Sequence, residues 1–240
     1  MKIAGFQKLS LLEYPDRICA IVFLQGCNFK CPFCHNPELV YNDPPTSCGT
    51  LADKVTEEEV FGYLVKKKKM LDGVCITGGE PTLHADLIDF IVKLKKIGYL
   101  VKLDTNGSNP KMLKELFDKK LLDYVAMDLK APFERYSEIV GLGHRAQGLG
   151  IIENCKKSFK LIQESSVDHE FRTTVFPQEH IENDFMKMAG YLKKGEKYYL
   201  QNIRYIKNLD QNLDQSKKID IAMLLNKLKS KFPDICVEER

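Results

Sequence analysis

Six short runs of β-branched, aromatic and aliphatic residues recur along the chain, each followed by a stretch with helical spacing, and this alternation limits the fold more than any other feature. The runs are "ICAIVFL" (18–24), "GVCIT" (73–77), "YLVKLD" (99–104), "DYVAMDL" (123–129), "EFRTTVF" (170–176) and "KYYLQNI" (197–203). Behind the first comes "TEEEVFGYLVKKKKML", which opens with Thr56 and Glu59 at capping-box spacing. Behind the second, "ADLIDFIVKLKKIG" puts Leu87, Ile88, Ile91, Val92 and Leu94 on one face and Gly98 at its C-cap. Pro110 starts "KMLKELFDKK", and helices are also expected at "FERYSEIVG", "GIIENCKKSFKLIQES", "NDFMKMAGYLKK" and "SKKIDIAMLLNKLKS". Strands alternating with helices predict an α/β fold whose parallel sheet has right-handed crossovers, either a partial barrel or a doubly wound sheet.

With 240 residues, 44% of them hydrophobic, the chain can bury a core without staples, and one domain over 1–240 is expected. Its core would span about 18–205, with a C-terminal helix and tail over 206–240. Charge is nearly balanced, 36 basic against 33 acidic residues, so neither nucleic acid nor an anionic membrane is an expected partner. No apolar stretch approaches 18 residues and the N-terminus lacks the features of a secretion signal, so a cytoplasmic location is expected. In a reducing compartment the eight cysteines point to ligation rather than disulfides.

Polar and sulfur-bearing residues gather at the C-terminal ends of the expected strands, where parallel α/β folds bind ligands. After the first run comes "GCNFKCPFCHNPEL" with Cys27, Cys31 and Cys34; after the second, Gly78, Gly79 and Glu80. The third ends in Asp104 and Thr105, and the fourth carries Asp128 and Lys130. Three readings compete for the cysteines. Covalent haem would use Cys31, Cys34 and His35, but it belongs outside the cytosol and leaves Cys27 idle. Structural zinc wants four ligands, and no second cysteine pair exists; an iron–sulfur cluster on three thiolates keeps one iron open. Cys19 and Cys75 read as small core residues. "TGGEP" and "LDTNGS" can each be plain turns, Lys66 to Lys69 a solvated helix face, and "GLGHRAQGLG" (141–150) a loop in which His144 is no ligand.

The spacing Cys27-x3-Cys31-x2-Cys34, with Phe33 before the last cysteine, resembles the hallmark of the radical S-adenosylmethionine (radical SAM) superfamily. The resemblance implies a partial (β/α)6 TIM-like barrel with one [4Fe-4S] cluster on Cys27, Cys31 and Cys34, its open iron chelated by S-adenosyl-L-methionine. Reductive cleavage of that cofactor would give a 5′-deoxyadenosyl radical. Gly78 and Gly79 would offer backbone acceptors to the methionine amino group, with Glu80 beside them.

"LDTNGS" and "MDLK" are similar to segments of the glycyl-radical-enzyme activases, which makes Asp104, Thr105, Asp128 and Lys130 cofactor contacts and the aspartate pair a candidate monovalent-cation site. The first 140 or so residues most resemble the activating proteins of anaerobic ribonucleoside-triphosphate reductase, and "FRTTV" and "YYLQ" continue the likeness with Arg172 and Gln201. The implied partners are a glycyl-radical enzyme, expected to be anaerobic ribonucleotide reductase, and reduced flavodoxin or ferredoxin as electron donor. Activation of pyruvate formate-lyase, or action on a small molecule or peptide, are the alternatives within the superfamily. A zinc-bound interaction module is the alternative without catalysis. Residues 35–77 hold only Cys48 and Cys75, so no further cluster is expected, and the segment after Gln201 lacks the histidine that pyruvate formate-lyase activases place there.

Overall fold

A computed structural model describes residues 1–41, 55–142 and 146–240; Cys48 and His144 lie outside them. All six expected strands form. They are β2 (Cys19–Leu24), β3 (Gly73–Gly78), β4 (Leu100–Thr105), β5 (Tyr124–Asp128), β6 (Asp168–Val175) and β7 (Lys197–Asn202), and each pairs in parallel with the next. Two more extend the sheet past both ends of the expected core. β1 (Ile3–Ser10) runs antiparallel to β2, and β8 (Cys236–Glu239) parallel to β7, giving eight strands in sequence order among the described residues. Sequence missed β1 because "IAGFQKLS" does not alternate cleanly, and β8 because four residues are too few to show a period.

The crossovers are α1 (Glu57–Lys67), α2 (Leu87–Ile97), α3 (Pro110–Asp118), a one-turn α4 (Tyr136–Ile139), α5 (Ala146–Glu164), α6 (Glu182–Ala189) and α7 (Ile221–Lys231). The capping box of α1 is present: Thr56 Oγ1 accepts from Glu59 N at 3.1 Å, and Glu59 Oε2 accepts from Thr56 N at 2.8 Å. Gly98 closes α2 with φ 93°, which glycine adopts without steric cost. Residues 133–141 form a 3₁₀ turn, Phe133–Arg135, before α4 rather than one helix, and α5 begins at Ala146, inside the glycine-rich stretch expected as a loop. No helix among the described residues is long and apolar enough to cross a membrane.

Strand alternation divides the residues between two environments. Val74, Ile76, Val101, Leu103, Val125 and Met127 point outward into the helices and join one continuous core. The inward face is different. At its floor Tyr14, Cys19, Ile21, Cys75 and Tyr124 make a small apolar cluster, and directly above it the strands turn charged. Cys19 and Cys75 are fully buried, as expected of core residues.

Candidate active site

The cysteine loop is held at both ends by main-chain hydrogen bonds. Gly26 N donates to Leu39 O at 2.7 Å, Cys27 N to Val40 O at 3.0 Å, and Lys30 N to Val140 O at 3.0 Å. It is also bonded to the glycine loop, since Gly79 N donates to Leu24 O and Glu80 N to Gly26 O, each at 2.8 Å. That contact explains the glycines. A Cβ on Gly79 would lie 2.0 Å from Gly26 O, and one on Gly78, whose φ is 126°, would lie 2.3 Å from Leu24 N. Close packing of two loops, rather than closeness to a ligand alone, requires the missing side chains.

The segment after β7 crosses the same loop. Arg204 N donates to His35 Nε2 at 3.1 Å, Asn208 Nδ2 to Phe33 O at 3.3 Å, and Asp210 N to Pro32 O at 3.0 Å, while Lys207 reaches Glu38 at 3.1 Å. The His35 ring is thereby tied to the chain as an acceptor. Phe33 is buried, 4.9 Å from the Phe176 ring and beneath Lys130 Nζ at 5.8 Å.

All the residues singled out from sequence line one cavity of about 310 Å³ at the C-terminal ends of the strands: the three cysteines, Phe33, Gly78, Gly79, Glu80, Asp104, Thr105, Asp128, Lys130, Arg172 and Gln201. Burial pushes the Cys27 and Cys31 thiols up to about 12, and raises Cys34 as well. Among the described residues no three His, Cys, Asp or Glu side chains converge as a single metal ion requires. The three thiols line the same cavity.

Opposite them runs a ladder of alternating charge. Lys102 pairs with Asp104; Arg172 reaches Asp104 Oδ2 at 3.3 Å and Asp128 Oδ1 at 3.0 Å; Lys130 reaches Asp128 Oδ2 at 2.8 Å. Burial alone would raise both aspartates, but Arg172 and the two lysines outweigh it and hold the carboxyls below the usual range, Asp128 far below. Each of the four carboxylate oxygens has a protein cation beside it. Lys102 was not among the expected site residues, although its place two residues before Asp104 puts both on the inward face of β4.

Both oxygens of Glu80 accept hydrogen bonds from within the protein. Its Oε1 accepts from Thr82 N at 3.1 Å, Thr82 Oγ1 at 2.5 Å and Thr105 Oγ1 at 2.7 Å, and Oε2 accepts from Asn106 N at 2.6 Å. It fastens the glycine loop to the end of β4.

Residues 21–192 match the radical SAM superfamily. The chain belongs to that superfamily. A Methanocaldococcus jannaschii protein, provisionally named a glycyl-radical enzyme activating enzyme, is 36% identical over 200 residues, 83% of this chain and 78% of that one. The pyruvate formate-lyase-activating enzyme of Listeria monocytogenes is 33% identical over 121 residues, 46% of each chain. Within the radical SAM enzymes, the chain goes with these activating enzymes. A 7-carboxy-7-deazaguanine synthase of Archaeoglobus fulgidus is 30% identical over 172 residues, 70% of this chain and 67% of that one.

The fold is similar to that of Streptococcus suis SuiB solved with S-adenosylmethionine bound, with a TM-score of 0.63 at 15% identity. The match covers 92% of this chain, which spans about half of that structure, 51%. The radical SAM family implies S-adenosylmethionine and an iron–sulfur cluster, and the donor set fits both: three thiols for iron, and beside them paired acids and bases for a zwitterionic amino acid moiety.

Proposed function

We propose that Cys27, Cys31 and Cys34 hold a [4Fe-4S] cluster, that S-adenosylmethionine lies between it and the charge ladder, and that the enzyme installs a glycyl radical on anaerobic ribonucleoside-triphosphate reductase. The observation that carries this reading is the meeting, in one cavity, of three thiols with the ladder Asp104–Arg172–Asp128–Lys130. A cuboidal cluster can take three thiolates and keep one iron open, whereas structural zinc takes four ligands. When bound, the two cofactors supply one-electron reductive cleavage of a sulfonium, a source of a carbon radical able to take hydrogen from a glycine Cα.

The chain's own part is binding, charge placement and exclusion of water. The three cysteines give up buried protons on binding iron. Main-chain groups of Gly78 and Gly79 take the amino group, Arg172 and Lys130 take the carboxylate, and Asp104 and Asp128 balance the added positive charge. Thr105 acts through Glu80, fixing the loop. Phe33 seals the cavity against Phe176. A reduced flavodoxin or ferredoxin supplies the electron.

The choice of reductase as partner rests on the motifs "KIAGFQKLSLLEYPDRICAIVFLQGCNFKCPFCHNPELV", "ITGGEPTL" and "MDLKAPF". A second reading, action on a small molecule, has support in the likeness to a 7-carboxy-7-deazaguanine synthase. Anaerobic incubation of the reconstituted protein with a reductant, S-adenosylmethionine and either anaerobic ribonucleotide reductase or pyruvate formate-lyase separates these. The expected result is a glycyl-radical electron paramagnetic resonance doublet on the reductase. A doublet on the lyase alone reassigns the partner, and no doublet on either, with turnover of a small substrate, overturns the activase reading.

A further inference from the structure

Asn106 was read from sequence as part of a turn, yet all its polar groups are engaged at the centre of the site. Its backbone is pinned on both sides: N donates to Glu80 Oε2 at 2.6 Å, and O accepts from Cys155 Sγ of α5 at 3.5 Å. The side chain is 6% exposed for the residue as a whole, and its orientation follows from its neighbours. Ser108 N donates to Oδ1 at 2.9 Å, and an N–H cannot donate to an NH2 group, so the other arm must be the donor. That arm, Nδ2, lies 3.0 Å from Asn28 Oδ1 and 3.8 Å from Cys27 Sγ. Because Nδ2 can only donate, the Asn28 atom facing it is the acceptor Oδ1, which also accepts from Ser108 Oγ at 3.3 Å. Cys27 Sγ takes a second donor from Phe29 N at 3.4 Å.

We propose that Asn106 is a positioning residue whose amide N–H, aimed at the Cys27 sulfur, raises the reduction potential of the cluster held there. The proposal rests on the cluster reading above and assigns to this chain's own residue the tuning of that site. An added electron makes the ligating sulfurs more negative, so a donor pointed at one stabilises the reduced state more than the oxidised one. The same residue links this sulfur to Glu80. The sulfur is therefore coupled to the glycine loop through one residue, by its side chain on one side and its main-chain N–H on the other.

The test is a redox titration of the reconstituted protein, the reduced cluster being read by electron paramagnetic resonance as dithionite delivers one electron to it. Asn106→Ala removes the donor and adds no charge; Asn106→Asp keeps the acceptor for Ser108 N but replaces the donor with a negative charge that itself lowers the potential; Ser108→Ala leaves the amide in place. With iron and sulfide content equal to wild type, both Asn106 variants are expected to lower the ratio of reduced to oxidised cluster at a fixed solution potential about tenfold, a shift of about 59 mV for a one-electron couple. Ser108→Ala is expected to stay near wild type. An unchanged potential in Asn106→Ala overturns the proposal, as does an equal shift in Ser108→Ala. Failure of the Asn106 variants to hold a cluster that the wild type holds also counts against it, because the residue would then be holding the loop rather than setting a potential. A wild type that takes up no cluster is a different result and overturns the reading of the site itself.

Discussion

Both oxygens of Glu80 are engaged inside the protein, and the donors they satisfy come from two different strand ends. Removing the carboxylate strands Thr82 N, Thr105 Oγ1 and Asn106 N in a site with no access to solvent. Burial pushes the Glu80 carboxyl up and these donors pull it back, so the pocket is built around an acceptor. Glu80→Ala is expected to destabilise the fold by about 2–4 kcal/mol, the range for orphaned buried polar groups, measured as a lower urea midpoint at unchanged slope. A loss within experimental error would mean that the two loops are held by their main-chain bonds alone. At this scale the sequence was informative about type and silent about direction. "TGGEP" marked Glu80 as a site residue, but which way a carboxylate turns depends on Thr105 and Asn106, which are 25 and 26 residues away.

The loops after β5 and β6 are joined by one histidine. Phe176 N donates to His180 Nδ1 at 3.0 Å, so Nδ1 carries no proton and Nε2–H donates to Lys130 O at 2.8 Å. Burial holds the ring neutral and lowers its pKa from 6.5 to about 4. The stability this contributes is complete above pH 6.5 and is lost as pH falls toward 4, where the unfolded chain takes up a proton that the folded one refuses. The loss amounts to about 3 kcal/mol. His180→Gln, which can donate and accept without titrating, is expected to lose about 3 kcal/mol less than wild type between about pH 7.5 and pH 4 in urea unfolding. Parallel curves for the two proteins would remove His180 from the account.

Element boundaries were legible where a cap or a proline marks them. Thr56, Gly98 and Pro110 begin or end helices as their chemistry predicts. Boundaries failed at α5, where glycines at 148 and 150 lie within the helix, because a buried helix face outweighs their poor propensity.

Seen whole, the sheet has two edges, and the last side chain bridges them. Arg240 follows β8, yet its guanidinium donates to Leu12 O beyond β1 at 3.0 Å and to Glu170 Oε1 at 2.6 Å, and it lies 5.1 Å from the Tyr199 ring. Glu170 is fully buried, with Tyr124 OH on its other oxygen at 2.8 Å. Arg240→Ala is expected to cost about 1–3 kcal/mol and to speed amide exchange over residues 11–18, since the carboxylate loses its nearest cation and the edges lose their bridge. Exchange unchanged in that stretch would show the edges to be held independently.

By itself the sequence determined the six parallel strands and the list of residues that meet in the cavity. Period-two alternation and the rule that ligands bind at strand C-termini act locally, so each strand carries its own part of the answer. Tertiary structure decided what those residues do to one another: that Arg172 stands between two aspartates, that Glu80 takes its donors from Thr105 and Asn106, and that the chain after Gln201 covers the cysteine loop. Such partners are set by strand order and register, and by the electrostatics of buried charge, which sum over neighbours that no single stretch of sequence contains.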